Sequence, residues 1–308
     1  MTATALAPDA ARPRTTHPPV GKKRRVRPAR IGLHVFLAGS ALAWLVPMAW
    51  AVYTSLRPYS ETQSKGFLSL PSTLNLQNYI DAWQQSGMPA DFRNTLVIAV
   101  PAVILTLLLS SFVAFTVTRF NFKLNLLLLM VFTAGNLLPQ QVIITPLYRL
   151  YLLISLPQGM SDSGKLYDTL LGLIVIHVAF QSGFCTFVLS NYMKTIPTAL
   201  HEAAVVDGAS VWQIYSRIYL PLLKPAMAAL ATLLSIWIYN DFFWAIVLIS
   251  DGSKMPITSA LANLSGTFFT NDNLVAAGAL MTAIPTLIVY FLLQRQFVSG
   301  LTLGAEKG

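Results

Sequence analysis

The sequence predicts an all-α, polytopic integral membrane protein of six transmembrane helices, with cytoplasmic N- and C-termini. Three observations carry that prediction. Of 308 residues, 55% are hydrophobic and only 11% charged, against about 25% charged in an ordinary soluble domain; mean hydropathy is +0.59. Apolar runs of about twenty residues, the length that crosses a hydrocarbon core of about 30 Å, recur between polar segments bearing Gly and Pro. About fifteen of the 21 lysines and arginines fall in the segments this arrangement puts inside, as the positive-inside rule requires.

Composition also excludes. A net charge of +9 would suggest nucleic acid in a soluble protein, but most of it sits beside apolar runs, where it sets orientation and attracts anionic lipid. No nucleic-acid partner is expected. The single cysteine, Cys185, lies in an apolar segment, which rules out an internal disulfide and reads as core packing.

Residues 1–30 are rich in Ala, Pro, Thr and Arg and end in a basic cluster from Lys22 to Arg30, too polar to offset the entropy of ordering. They read as a disordered cytoplasmic tail. The first span runs from Ile31 to about Leu56. Ala49-Trp50-Ala51 imitates a signal-peptidase site, but the apolar run is longer than the usual core of about 7 to 15 residues, which favours an uncleaved anchor. Residues 57–92 form an outside loop with a short helix near Asn78 to Gln85. The second span covers about 94–117, and 118–123 is an inside turn. The third covers 124–146 and is interrupted by Gly135, Asn136, Pro139, Gln140 and Gln141. Residues 147–168 are outside and the fourth span is about 169–190. An inside loop, 191–225, precedes the fifth span at about 226–249; 250–271 is outside and the sixth span covers about 273–293. The membrane domain thus runs from 31 to 300, and 301–308 is a cytoplasmic tail.

The inside loop is the most informative stretch. Pro197 suits the start of a helix whose formers include Ala199, Leu200, Glu202, Ala203 and Ala204. Asp207-Gly208 breaks it, with Gly208 suited to a left-handed C-terminal cap. Ser210 followed by Gln213 fits a capping box that opens a second helix, which Pro221 is expected to close. On that helix Val211, Ile214 and Ile218 form one stripe, and Trp212, Tyr215 and Tyr219 the next. Such a helix rests on the membrane surface or lies in a groove of a partner.

Glu202-Ala203-Ala204, Asp207-Gly208-Ala209, Trp212, Ile218, Leu220-Pro221 and Pro225 resemble the EAA signature of membrane subunits of binding-protein-dependent ABC importers. Asn78-Tyr79, Asn94-Thr95-Leu96 and the tail Phe297, Gly300-Leu301-Thr302, Gly304-Ala305 and Lys307-Gly308 are similar to the maltose-permease-like, sugar-importing branch of that family. The resemblance runs from about residue 35 to the end. It implies a permease subunit in the plasma membrane whose loop docks on a cytoplasmic ATPase through Glu202, Ala203, Ala204, Asp207, Gly208, Ala209, Trp212, Ile218 and Pro221. By the same resemblance the partners are a second, homologous permease, an ATPase dimer and an external sugar-binding protein. ATP and Mg would sit on the ATPase, this chain would bind no cofactor and catalyse nothing, and ATP closure would open the bundle outward by alternating access.

Polar residues at bilayer depth supply the pathway candidates. Asn240 and Asp241 fall near the middle of the fifth span, where an ionisable group costs about 2.5–3.5 kcal/mol and must meet protein, water or a ligand. On a continuous helix Trp237 and Trp244 would share their face. Aromatic planes beside an amide and a carboxylate suit a sugar; equally, the polar pair could bond this helix to a neighbour. Family members commonly carry Trp-Asn-acid here, and this chain has Tyr239 in the Trp position. Asn136 and Gln140 on the third span, and His177 and Gln181 on the fourth, also share faces.

Gly159 to Lys165 imitates a phosphate-binding loop, but Leu166 stands where a Ser or Thr must hold magnesium and no strand precedes it. An ATP-driven transporter would then borrow its nucleotide site from a partner. An ion-coupled secondary transporter using Asp241 and His177 would not need the docking loop. An intramembrane enzyme would need a motif such as H-E-x-x-H or G-x-S-x-G, and the sequence has neither. The solute, a sugar by resemblance or another small molecule, is not encoded in any of these features.

Overall fold

In a computed structural model of the chain, residues 28–85, 87–120, 123–135, 139–263 and 271–302 are described, and among them every regular element is helical apart from an isolated bridge between Ser155 and Lys165. Contacts divide the chain into units 1–48 and 49–308. The first holds the leading part of α1 (Pro28–Ser55), and the helical bundle belongs to the second.

Four long helices form the bundle. They are α4 (Met88–Arg119), α7 (Leu170–Met193), α10 (Leu220–Tyr239) and α13 (Asp272–Thr302). α4 is central and packs on α7 and α10, while α10 also packs on α13. The α4–α7 contact is close because its residues are small: Ala99, Ala102, Thr106, Ser110 and Ala114 on α4, with Ser182, Cys185, Thr186 and Ser190 on α7, are all buried. In a bilayer, where apolar side chains gain nothing by leaving lipid, small residues let backbones approach and hydroxyls bond across. Ser110 Oγ does so, donating to the Ser182 carbonyl at 3.1 Å. Close approach recurs where α7 begins: a Cβ on Gly172 would lie 2.7 Å from the Leu166 carbonyl oxygen.

Among the described residues five helical runs are long and apolar enough to cross a membrane: Arg30–Ser55, Met88–Arg119, Leu170–Met193, Val211–Tyr239 and Asp272–Leu292. The expected third span is not one of them. α5 (Asn125–Ala134) has 10 residues, about half the length a bilayer needs. After Gly135 and the extended Pro139, a 3-10 turn (Gln140–Ile143) leads into α6 (Ile144–Leu153), which occupies part of the expected loop 147–168. Pro139 itself is extended and has no amide proton to bond back into a preceding turn, so a new helical piece begins after it. Asn136 lies outside the described residues, as do residues 1–27 of the basic tail and 303–308 of the C-terminal tail.

The segment between α1 and α4 is tied down by the motif residue Asn78 and by Asn273 of α13. α2 (Tyr59–Lys65) and α3 (Gln77–Gln85) surround Arg57, which is 1% exposed and donates to the carbonyls of Gly66, Phe67 and Glu61 and to Ser69 Oγ. Carbonyl oxygens thus replace water around a buried guanidinium. Asn78 and Asn273 both donate to the Arg57 carbonyl, at 2.8 and 2.9 Å, which joins α3 and α13 to the end of α1. Asn94 and Thr95 act alike: Asn94 donates to the Ser253 and Met255 carbonyls, and Thr95 Oγ1 accepts from the Ile257 amide at the start of α12 (Ile257–Asn263).

Residues 155–168 form an irregular loop, so the imitation phosphate loop is neither strand nor helix start. Lys254 joins it to the segment after α11 (Phe243–Leu248), with Nζ 2.6 Å from Asp162 and 3.1 Å from Asp168. The bond it donates to Asp162, then that to Asp168, holds the ammonium pKa above its usual value against burial. Burial pushes the Asp168 carboxyl up, but the Asp251 and Ser250 amides and Lys254 outweigh it and leave the pKa lowered.

Candidate functional site

The loop between α7 and α10 is built as its local grammar demands. α8 (Ala199–Val206) ends in a Schellman arrangement: the Ala209 amide reaches back to the Ala204 carbonyl and the Gly208 amide to that of Val205, both at 3.0 Å. Gly208 has φ +76°, the left-handed conformation a β-carbon disfavours. The capping box is complete: the Gln213 amide donates to Ser210 Oγ at 3.3 Å, and the Ser210 amide to Gln213 Oε1 at 2.8 Å. It opens α9 (Val211–Ile214).

Pro221 does not close the second helix. α9 passes through a π turn (Tyr215–Tyr219) directly into α10, and Pro221 stands in the first turn of α10, so the second loop helix and the membrane span are one helical run. A proline within a helix forfeits one amide bond and crowds the carbonyl four residues back; a π turn just ahead widens the helix there and relieves both.

Burial divides this helix along its length and not by stripe: Ile214, Tyr215 and Tyr219 are buried, while Val211 and Trp212, the first residues of the two stripes, are exposed at 53% and 65%. On α8 only Ala204 is buried among the EAA residues; Glu202 and Ala203 are exposed, as are Asp207 and Gly208 beyond its end. Ala209 and Ile218 are half-buried and pack on the core. Leu200, Val205 and the 87%-exposed Val206 join Val211 and Trp212 as exposed apolar side chains. Exposed apolar side chains gathered on one short segment mark a surface made to be covered.

The fifth-span candidates do not share one stripe, because the helix stops. α10 ends at Tyr239 and α11 begins at Phe243. The break is held by one tertiary and one local bond: Thr258 Oγ1 donates to the Asp241 carbonyl at 2.5 Å, and Asp241 Oδ1 accepts from the Trp244 amide, three residues on, at 3.5 Å. Asp241 thereby turns toward α7, its Oδ2 3.7 Å from His177 Nε2. Trp244, 2% exposed, packs on Phe180. Trp237 and Asn240 face outward instead. Trp237 is 42% exposed and meets Phe184, while exposed Asn240 donates to the Ile236 carbonyl at 2.8 Å and reaches Thr286 Oγ1 on α13 at 3.5 Å. Gln140 lies in the 3-10 turn and Gln181 on α7, both half-buried; no hydrogen bond joins them to this group among the described residues.

A family described as "Binding-protein-dependent transport system inner membrane component" matches residues 95–300, which hold the loop, the helix break, all of α7 and α10 and most of α4 and α13. The chain belongs to that family.

This permease is 30% identical over 269 residues to the melibiose/raffinose/stachyose import permease protein MelC of Bacillus subtilis, covering 87% of this chain and 93% of the relative. It is 31% identical over 285 residues to the osmoprotective compounds uptake permease protein GgtD of Synechocystis, covering 90% and 92%. With the alpha-glucoside transport system permease protein AglG of Rhizobium meliloti it shares 34% over 239 residues, 77% of this chain and 62% of that one. A solved chain of a bacterial ABC transporter that imports alginate has the same fold, with a TM-score of 0.74 over 90% of this permease and 99% of that chain, at 23% identity. The permease is therefore a multi-pass inner-membrane component, a transport subunit rather than a catalytic one.

Proposed function

We propose that this permease forms half of the path of an ATP-driven importer for a sugar, with a second, homologous permease as the other half. A cytoplasmic ATPase dimer, carrying ATP and Mg, docks on the exposed surface of α8 and α9 through Glu202, Ala203, Asp207, Gly208 and Trp212. An external binding protein delivers the solute.

One observation carries the mechanism: α9, the π turn and α10 are a single helical run, from the exposed docking surface to the break at Asn240–Phe242. A displacement of α9 by the ATPase is delivered along α10 to that break, without a flexible joint to absorb it. Alternating access then amounts to α10 re-aiming the exposed Trp237 and Asn240 between the two sides. An aromatic face beside an amide suits a sugar, whose ring offers apolar C–H faces and hydroxyl edges. Asp241 and Trp244 bracket the break against α7.

The sugar assignment is supported by MelC and AglG, whose names give sugars as their cargo, and by the pairing of Trp237 with Asn240. GgtD, named for osmoprotective compounds, favours a second reading in which the cargo is a small osmolyte. Purifying the complex and measuring ATP-dependent uptake of labelled tri- and disaccharides against small osmolytes separates the two. Uptake of saccharides alone supports the first reading, uptake of osmolytes alone the second, and uptake without ATP contradicts both.

A further inference from the structure

We propose that Arg119 is a positioning residue that transmits force from the docking helices to the ends of α4 and α7; this rests on the ATPase-docking reading above. Arg119 is the last residue of α4. Its Nη2 donates to the Met193 carbonyl at 2.6 Å and the Ile196 carbonyl at 3.1 Å, at and just beyond the end of α7. A cation is well placed there, where a helix leaves its last carbonyls unpaired and the dipole is negative. The same guanidinium lies over the Tyr219 ring, 4.8 Å from its centroid. One side chain thus joins α4, α7 and the π turn.

The contact is a matched pair of stripes. Ser111, Phe115 and Arg119 recur every four residues on α4, as Tyr215 and Tyr219 do on the π turn. Tyr215 Oη and Ser111 Oγ are 2.7 Å apart, the Phe115 ring lies 5.4 Å from Tyr215 and 5.1 Å from Tyr219, and Arg119 closes the row. Movement of α9 cannot leave α4 behind without breaking this row.

The joint also holds unused bonding capacity. Arg119 Nε, Tyr219 Oη and Nδ1 of His201, whose ring lies 6.1 Å from that of Tyr219, are buried without a hydrogen-bond partner among the described residues. Buried unpaired polar atoms are costly, so an arrangement of the joint that paired any of them would recover that cost. A transmission element needs such a second arrangement. Lysine is a poor substitute, because a point charge on a flexible stem lacks the planar fork that bonds two carbonyls while stacking on a ring.

The test uses the purified complex in vesicles and compares wild type with Arg119→Gln, Arg119→Lys and Tyr219→Leu. Complex yield, ATP hydrolysis and uptake are measured separately. Yield and hydrolysis are expected to persist, while solute carried per ATP falls about tenfold in Arg119→Gln and Tyr219→Leu and less in Arg119→Lys, as loss of a charge-assisted bond implies. A merely structural role would lower yield and leave the ratio unchanged. Should Arg119→Gln fail to assemble, the two milder variants decide, and a wild-type ratio in them overturns the proposal. A wild-type complex that retains no ATPase defeats the docking reading and this one together; a retained ATPase with unchanged ratios defeats this one alone.

Discussion

Nε2 of His177 on α7 and Oδ2 of Asp241 at the α10–α11 break lie 3.7 Å apart, beyond hydrogen-bond length, and Oδ2 has no other partner among the described residues. Oδ1 of the same carboxylate faces the Trp244 amide at the start of α11. The group brackets the break. Asp241→Asn keeps an oxygen for the amide and offers an N–H toward His177, so complex yield should persist. Asp241→Leu should lose yield and uptake together, because it leaves the Trp244 amide uncapped and sets an apolar group beside the His177 ring. Trp244→Leu should cost about 2 kcal/mol through lost packing and likewise lower yield. Detergent-solubilised yield and thermal unfolding check all three.

The outward pair should behave in the opposite way. Trp237→Leu and Asn240→Ala remove an exposed ring and an exposed amide, so yield and melting temperature should match wild type while uptake falls. If yield falls in proportion to uptake in both, the pair bonds this permease to a neighbour and the path lies elsewhere.

Gly208→Val should impair coupling while sparing the bundle. No atom lies within 4 Å of a Cβ built at Gly208, so the cost is backbone strain at φ +76° and not a clash. A β-branched residue in that region costs roughly 1–3 kcal/mol, which the exposed loop relieves by unwinding the cap and re-aiming α9. ATPase retention on a column of immobilised permease should drop while the melting temperature stays. Gly208→Ala should show the same change at smaller size.

How legible the molecule was in its sequence depended on range. The α8 cap and the Ser210–Gln213 box are written in neighbouring residues, and the sequence alone is enough for them. The helix break at Asn240–Phe242 is held locally by the Trp244 amide on Asp241 and remotely by Thr258, and an apolar run carries no sign of the remote partner. Pro221 misleads for a related reason: only the π turn ahead of it makes it tolerable inside a continuous helix. Arg119 reads in sequence as one more inside charge; Tyr219 and Met193, which give it a role, are about a hundred and about seventy residues away. Asn78 and Asn94 were legible as motif residues by resemblance, but their work as clips on Arg57 and on the Ser253–Met255 segment ahead of α12 was not.

Acid should loosen the segment after α1. Glu61 Oε1 accepts from the Ser72 amide at 2.6 Å and from Lys65 Nζ at 3.1 Å. The Ser72 amide above all, with Lys65 and against burial, lowers its pKa from 4.5 to about 2. A depressed carboxyl contributes stability that is complete above the unfolded value and lost as pH falls from 4.5 toward 2. Amide exchange over residues 61–75, corrected for its intrinsic pH dependence, should therefore accelerate across that window. Glu61→Gln should exchange faster at neutral pH and show no further change.

Docking through α8 and α9 is tested most directly at Val206, 87% exposed beside the α8 cap. A Val206→Cys variant is made in a Cys185→Ser background, which removes the one native thiol, and is treated in sealed cells and in the purified complex. The predicted result is no labelling by an impermeant thiol reagent added outside, and a cross-link to the ATPase subunit that forms in the complex. Labelling from outside, with no cross-link to an ATPase, would contradict it.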